Sequence, residues 1–215
     1  MGKVATPSGD VSVTWDGPGD APLVLVLAHG AGNDLHASFM AHMASGLAGS
    51  GIDVCRFNFL YSERGRRAPD RTAVLEETFR AVGEAARAAR PGARLVIGGK
   101  SMGGRIASHL AAQGDEVEGL VFLGYPLHAP GRPENLRASH LKDIGAPMLF
   151  IEGTRDPFCP LETLEKVRAD LSADSSLAVI DDGDHSFKVR KSSGRSTEEA
   201  WDEVVAAVTD WLRKI

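Results

Sequence analysis

Apolar and polar residues alternate from Val11 to Trp15, the period of a strand with one covered face, which predicts an edge strand. Asp16-Gly17-Pro18-Gly19-Asp20 then breaks regular structure. Every residue from Leu23 to Ala28 is aliphatic, as expected for a strand of a parallel sheet buried on both faces. Comparable runs predict strands over Asp53–Phe59, from Leu95 to the glycines before Ser101, and over Val117–Leu123, Met148–Ile151 and Leu177–Ile180. Between them the apolar spacing lengthens to three and four residues. That spacing predicts helices over His36–Leu47, Arg71 to about Ala89, Met102 to about Gln113, Leu161–Leu171 and Thr197–Lys214. Pro69 and Asp70 introduce the second of these, and Pro91-Gly92 stops it.

Strand and helix therefore alternate almost throughout. The expected class is α/β, in three layers: a mainly parallel central sheet with helices on both faces, as one domain over residues 1–215. No repeat or linker interrupts the pattern, and little sequence is left for a lid domain. The longest irregular stretch, Tyr125 to Ile144, is rich in proline and histidine, with a short helix expected around Leu136–Leu141.

A length of 215 residues suits one well-buried core, and 43% hydrophobic with 25% charged residues is ordinary for a soluble globular chain. A net charge of -5 argues against a nucleic-acid partner, which needs a concentrated basic surface. Arg64, Arg66, Arg67 and Arg71 cluster locally, as an anion site or as a solvated loop. The two cysteines, Cys55 and Cys159, make no disulfide framework and fit a reducing cytosol. The N-terminus carries no apolar signal core, and no stretch approaches the roughly 20 apolar residues that span a bilayer. The expectation is a soluble, cytoplasmic protein without membrane contact; its oligomeric state is not legible.

The chemistry gathers at Gly99-Lys100-Ser101-Met102-Gly103, where an apolar strand runs into a helical pattern. Gly-x-Ser-x-Gly in that context is a nucleophile elbow: a sharp turn that exposes the serine hydroxyl at the C-terminal edge of the sheet. A serine hydroxyl needs a base, and the base an orienting acid. In such sheets acid and then histidine follow on loops after later strands. Asp156 lies just past Met148–Ile151, and His185 lies in the loop after Leu177–Ile180. Glu152, Asp182 and Asp184 are weaker candidates for the acid, Asp182 and Asp184 looking like turn residues. An oxyanion needs backbone donors. The candidates are the N–H groups of Met102 and, from the loop His29-Gly30-Ala31-Gly32, of Ala31. His29 is read as a residue that fixes that loop, or as a second base.

Together these residues resemble the α/β-hydrolase superfamily. The runs Arg56-Phe57-Asn58-Phe59 with Tyr61, Gly99 to Arg105, Gly124-Tyr125-Pro126-Leu127-His128, Gly153-Thr154-Arg155-Asp156 and Gly183 to Lys188 narrow the resemblance. They look like a small, lidless hydrolase-like family that includes a testis-expressed mammalian protein and a chromatin-complex (non-specific lethal) subunit. Size and layout are similar to the dienelactone hydrolases, which carry cysteine at the elbow where this chain has Ser101. The resemblance implies a serine hydrolase acting on a small ester or thioester. Acyl transfer or perhydrolysis on the same residues is an alternative, as is a non-catalytic scaffold module.

Four further residues are expected at the substrate: Lys100 beside the nucleophile, Tyr61 after the Asp53–Phe59 strand, and Tyr125 and His128 after Val117–Leu123. Lys100 either attracts an anionic substrate at the rim or pairs with Glu63 or another acid. Phe39, Met40 and Phe158 are candidates for a small apolar surface. No spacing suggests a metal, and no dinucleotide fingerprint accompanies Gly98 and Gly99, so no cofactor is expected.

Overall fold

Eight strands form one sheet in the order β1-β2-β4-β3-β5-β6-β7-β8 in the computed structural model, which describes residues 2–215. The strands are β1 Gly2–Val4, β2 Val11–Asp16, β3 Leu23–Ala28, β4 Asp53–Phe57, β5 Arg94–Lys100, β6 Gly119–Leu123, β7 Met148–Gly153 and β8 Ser175–Ile180. From β4 through β3 to β8 the neighbours are parallel, while β1 and β2 run antiparallel at one side. The helices are α1 Ser38–Gly49, α2 Leu60–Glu63, α3 Thr72–Ala89, α4 Met102–Ala112, α5 Leu161–Ala169 and α6 Thr197–Leu212.

The aliphatic run of β3 shows why the layers number three. Its odd residues Leu23, Leu25 and Leu27 join Met40, Met43 and Leu47 of α1 and Val204 and Val208 of α6 in one core. Its even residues Val24, Val26 and Ala28 join Leu75, Phe79 and Val82 of α3 and Ile106 and Leu110 of α4 in the other. Successive strand side chains point to opposite faces, so a strand covered on both sides must be apolar at every position. A capping box closes the start of α6: Glu199 N donates to Ser196 Oγ at 3.1 Å, and Ser196 N donates back to Glu199 Oε2 at 2.6 Å.

Several boundaries depart from the sequence reading. β2 is not the edge strand, because β1 pairs outside it. The strand expected over Asp53–Phe59 stops at Phe57: Asn58 N turns to Ser12 O at 3.0 Å, and one helical turn, α2, follows. β7 runs on to Gly153, which takes Glu152 inside the sheet. The short helix expected at Leu136–Leu141 is a 3-10 turn over Ser139–Asp143. Cys55 is a buried member of the core, with burial pushing its thiol up to about 12. No described helix is long and apolar enough to cross a membrane.

Phe79 is fully buried and packs edge-on to Phe57 at 5.0 Å. Phe79→Ala should cost about 3–5 kcal/mol, read as a lower urea midpoint at unchanged slope.

Candidate active site

β5 ends at Lys100 and α4 begins at Met102, leaving Ser101 alone to make the turn, at φ 51° and ψ -113°. A side chain held at positive φ costs on the order of 1–3 kcal/mol. Surrounding backbone enforces it: Ser101 N donates to Leu123 O, and Arg105 N donates to Ser101 O, both at 3.1 Å. The turn also needs bare backbone on either side. A Cβ on Gly99 would lie 2.4 Å from Ala28 O, and one on Gly103 would lie 2.5 Å from the same oxygen.

The loops after β7 and β8 bring Asp156 and His185 to this serine. Ser101 Oγ stands 2.8 Å from His185 Nε2, and His185 Nδ1 stands 2.6 Å from Asp156 Oδ2. Asp156 is buried, and its Oδ1 accepts the Phe158 N–H at 2.8 Å. Phe158 packs its ring edge-on to the His185 imidazole at 4.7 Å. The His185 loop is fixed by Asp184, whose Oδ1 accepts the N–H groups of Ser186 and Lys188, and by Asp182, which pairs with Arg155 and Arg190. Both acids are turn residues and neither reaches the histidine.

The loop after β3 closes over the elbow, with the Cβ position of Gly30 only 3.4 Å from Lys100 O. His29 is buried beneath it. The His29 Nε2 accepts the Phe59 N–H at 3.1 Å, so its Nδ1–H donates to Gly30 O at 2.8 Å. Burial lowers its pKa, and the ring is a neutral strut for the loop. Tyr61 belongs to the same device rather than to the cleft wall. Its hydroxyl is fully buried, donates to Gly30 O at 3.3 Å and accepts the Gly32 N–H at 3.2 Å. Neither Ala31 N–H nor Met102 N–H donates to a backbone acceptor among the described residues. Tyr61→Phe should cost about 1 kcal/mol of stability and slow turnover several-fold by loosening this loop, checked by urea melts beside steady-state kinetics.

Among the described residues Lys100 pairs with no acid directly, though its amine lies among Asp156, Glu152 and Asp184 rather than near Glu63. Glu63 is taken up by Lys3, Asn58 and Ser12, whose hydrogen bonds outweigh the opposing effect of burial and hold its carboxyl down to about 2. The Lys100 amine is buried behind the loop of the acid. It has no hydrogen-bond partner, and burial lowers it to about 8 against the pull of Asp156, Glu152 and Asp184. Tyr125 is also away from the cleft, fully buried, with its hydroxyl 3.1 Å from Ser108 Oγ. Its N–H donates to Glu152 Oε1 at 2.5 Å, and burial followed by the Asp156 charge pushes the Glu152 carboxyl well up.

Beside Ser101 opens a cleft of about 390 Å³, walled by Ala31, Met102, His128, Phe158 and His185 and, on its apolar side, by Leu75, Pro126 and Pro130. His128 thus lies at the cleft, its Nδ1–H donating to Ala129 O at 3.0 Å and its buried Nε2 unpaired. Phe39 and Met40 line a separate depression near Trp201. Of the arginine cluster, Arg66 pairs with Asp70 at 2.6 Å and Arg64 donates to Ser8 O at 2.8 Å. Arg105 and Arg137, which sequence reasoning passed over, line the cleft. The signal for Arg105 was present, since it lies in the first turn of the helix that starts right after Ser101. Arg137 gave none, because only the fold of its loop brings it here. No three described His, Cys, Asp or Glu side chains gather to hold a metal.

Two histidines, His29 buried and His140 half-buried, set a pH dependence. His29 is lowered by burial, and His140 is lowered to about 4 by burial and then by His109 and Arg105. Below their ordinary 6.5 the unfolded chain takes up protons that the folded chain refuses, so stability falls with pH between 6.5 and about 4. The loss should be about 1–2 kcal/mol in urea melts, with a shallower slope for His140→Gln.

A family model described as an alpha/beta hydrolase domain matches residues 21–213. Among solved structures, an alpha-beta serine hydrolase homologue from Coxiella burnetii superposes with TM-score 0.78 at 19% identity, covering 95% of this chain and 94% of its own. A lidless serine hydrolase from Xanthomonas campestris gives 0.74 at 23% identity, covering 97% of this chain and 93% of its own. Dienelactone hydrolase from Anabaena variabilis gives 0.79 at 18%, covering 99% of this chain and 95% of its own.

Proposed function

The chain belongs to the alpha/beta hydrolase domain family, and from that premise we propose that it is a serine hydrolase cleaving a small ester or thioester through an acyl-enzyme on Ser101. The observation that carries the reading is the unbroken hydrogen-bonded chain from Ser101 Oγ through His185 to buried Asp156. With Asp156 accepting from Nδ1–H, the His185 Nε2 lone pair faces the hydroxyl. His185 takes the serine proton as Oγ bonds to the substrate carbonyl carbon. The carbonyl oxygen becomes an oxyanion, for which the free N–H groups of Ala31 and Met102 are the donors. Collapse breaks the bond to the leaving group, which departs with the proton from Nε2. Water then enters, gives its proton to His185 and attacks the acyl carbon; as the acyl–Oγ bond breaks, His185 returns that proton to Oγ and the acid is released. Asp156 orients the ring and steadies the imidazolium; it does not take the proton.

The motifs around Arg56–Tyr61 and Gly99–Arg105 support placing the chain near the small lidless hydrolase-like proteins it resembles. The test is rapid mixing with 4-nitrophenyl acetate and an acetyl thioester, with hydrogen peroxide as a competing acceptor. The expected result is a burst of one leaving group per chain, followed by steady hydrolysis. Turnover only when peroxide is present favours perhydrolysis, and no turnover of any probe favours a scaffold.

A further inference from the structure

We propose that Arg105 and Arg137 form an anion subsite in the cleft, so that the natural substrate is an ester or thioester carrying a carboxylate; this rests on the hydrolase reading above. Arg105 lies in the first turn of α4, four residues after Ser101, and both side chains line the same cleft. Its guanidinium is tethered at one end only: Nη1 donates to His109 Nε2 at 3.1 Å, while His109 Nδ1–H donates to Glu76 Oε1 at 2.8 Å. The tether orients the fork and leaves Nε and Nη2 for a ligand. Arg137 comes from the far wall, where the bridge between His128 and Leu136 and the Arg137 N–H donation to Leu127 O at 2.6 Å pin its backbone.

No direct ion pair among the described residues neutralises the two arginines. Glu76, hydrogen-bonded to His109, offsets part of the Arg105 charge from a distance. The one acid lining the cleft, Asp70, is already joined to Arg66. Burial lowers the Arg105 pKa and the neighbouring Arg137 cation lowers it further, while Tyr125 and Glu76 pull it partly back. Two like charges lining one cleft beside a nucleophile, with Arg105 partly desolvated and neither in an ion pair, are stabilised when an anion enters. A carboxylate fits because its two oxygens can accept from both forks at once. Leu75, Pro126, Pro130 and Phe158 leave an apolar stretch for the carbons between that carboxylate and the scissile carbonyl. Lys100, buried behind the acid, plays no part in this subsite.

The test compares esters matched in length: mono-4-nitrophenyl glutarate against 4-nitrophenyl pentanoate, and 4-carboxyphenyl acetate against phenyl acetate. The wild-type chain should prefer the carboxylate member of at least one pair by about 10- to 100-fold in kcat/KM, expressed mainly in KM. In Arg105→Gln and in Arg137→Gln that ratio should fall toward one. Arg137 is exposed, so its variant separates binding from folding. Calorimetric binding of N-phenylglutaramic acid against N-phenylpentanamide reads the subsite without any bond being cleaved. No carboxylate preference in either measurement, a ratio indifferent to both arginines, or a stronger preference for a phosphate-terminated analogue overturns the subsite. Carboxylate binding without hydrolysis of any ester overturns the hydrolase reading and leaves the subsite standing.

Discussion

Ser101→Ala is expected to reduce kcat for 4-nitrophenyl acetate by about 10⁵- to 10⁶-fold while leaving the fold intact. The size follows from what the hydroxyl does in the proposed reaction: without Oγ no acyl-enzyme forms, and His185 and Asp156 lose the proton they were arranged to move. What survives is the small acceleration from binding and from the backbone donors. Stability should barely change, because alanine keeps the Cβ at the same strained φ of 51°. Ser101→Gly separates the two effects. Glycine adopts positive φ freely, so this variant should be as inactive as alanine and more stable by about 1 kcal/mol. Urea melts of the three proteins test that order.

Gly103→Ala should destabilise the chain by about 3 kcal/mol or more, the largest effect on stability expected from adding one carbon. The new Cβ would lie 2.5 Å from Ala28 O and 2.8 Å from both Ala28 C and His29 O. All three are backbone atoms at the end of β3, so no side chain can rotate out of the way. Relief requires α4 to lift from the sheet, which moves Met102 N–H and Ser101 with it. Gly49→Ala, near the end of α1, meets nothing within 4 Å and should instead stabilise by up to about 1 kcal/mol. The pair shows whether the elbow glycines are needed for space, with denaturation midpoints as the readout.

The parallel layers were legible because burial on both faces leaves a mark on every residue of a strand, as in Leu23–Ala28 and Gly119–Leu123. Ser101, Asp156 and His185 could be singled out because each follows the end of a strand, and parallel strands all end at one edge. Side-chain direction was less legible. Tyr61 and Tyr125 also follow strands at that edge, yet both turn inward, Tyr61 under the Gly30 loop and Tyr125 toward Ser108. Strand order alone cannot tell a residue on the wall from one beneath it. Lys100 misled for a related reason: strand residues alternate faces, and its side chain lies on the far side of the elbow, close to Gly124 and Phe187. β1 escaped notice because three residues carry too little periodicity to register.

The most direct test of the account is the site of labelling by a fluorophosphonate, an electrophile that only an activated serine attacks at an appreciable rate. Peptide mapping after intact-mass analysis should find a single adduct, on Ser101, absent from Ser101→Ala and slowed at least 100-fold in His185→Ala. Absence of any adduct, or an adduct on another residue that persists in Ser101→Ala, would contradict it.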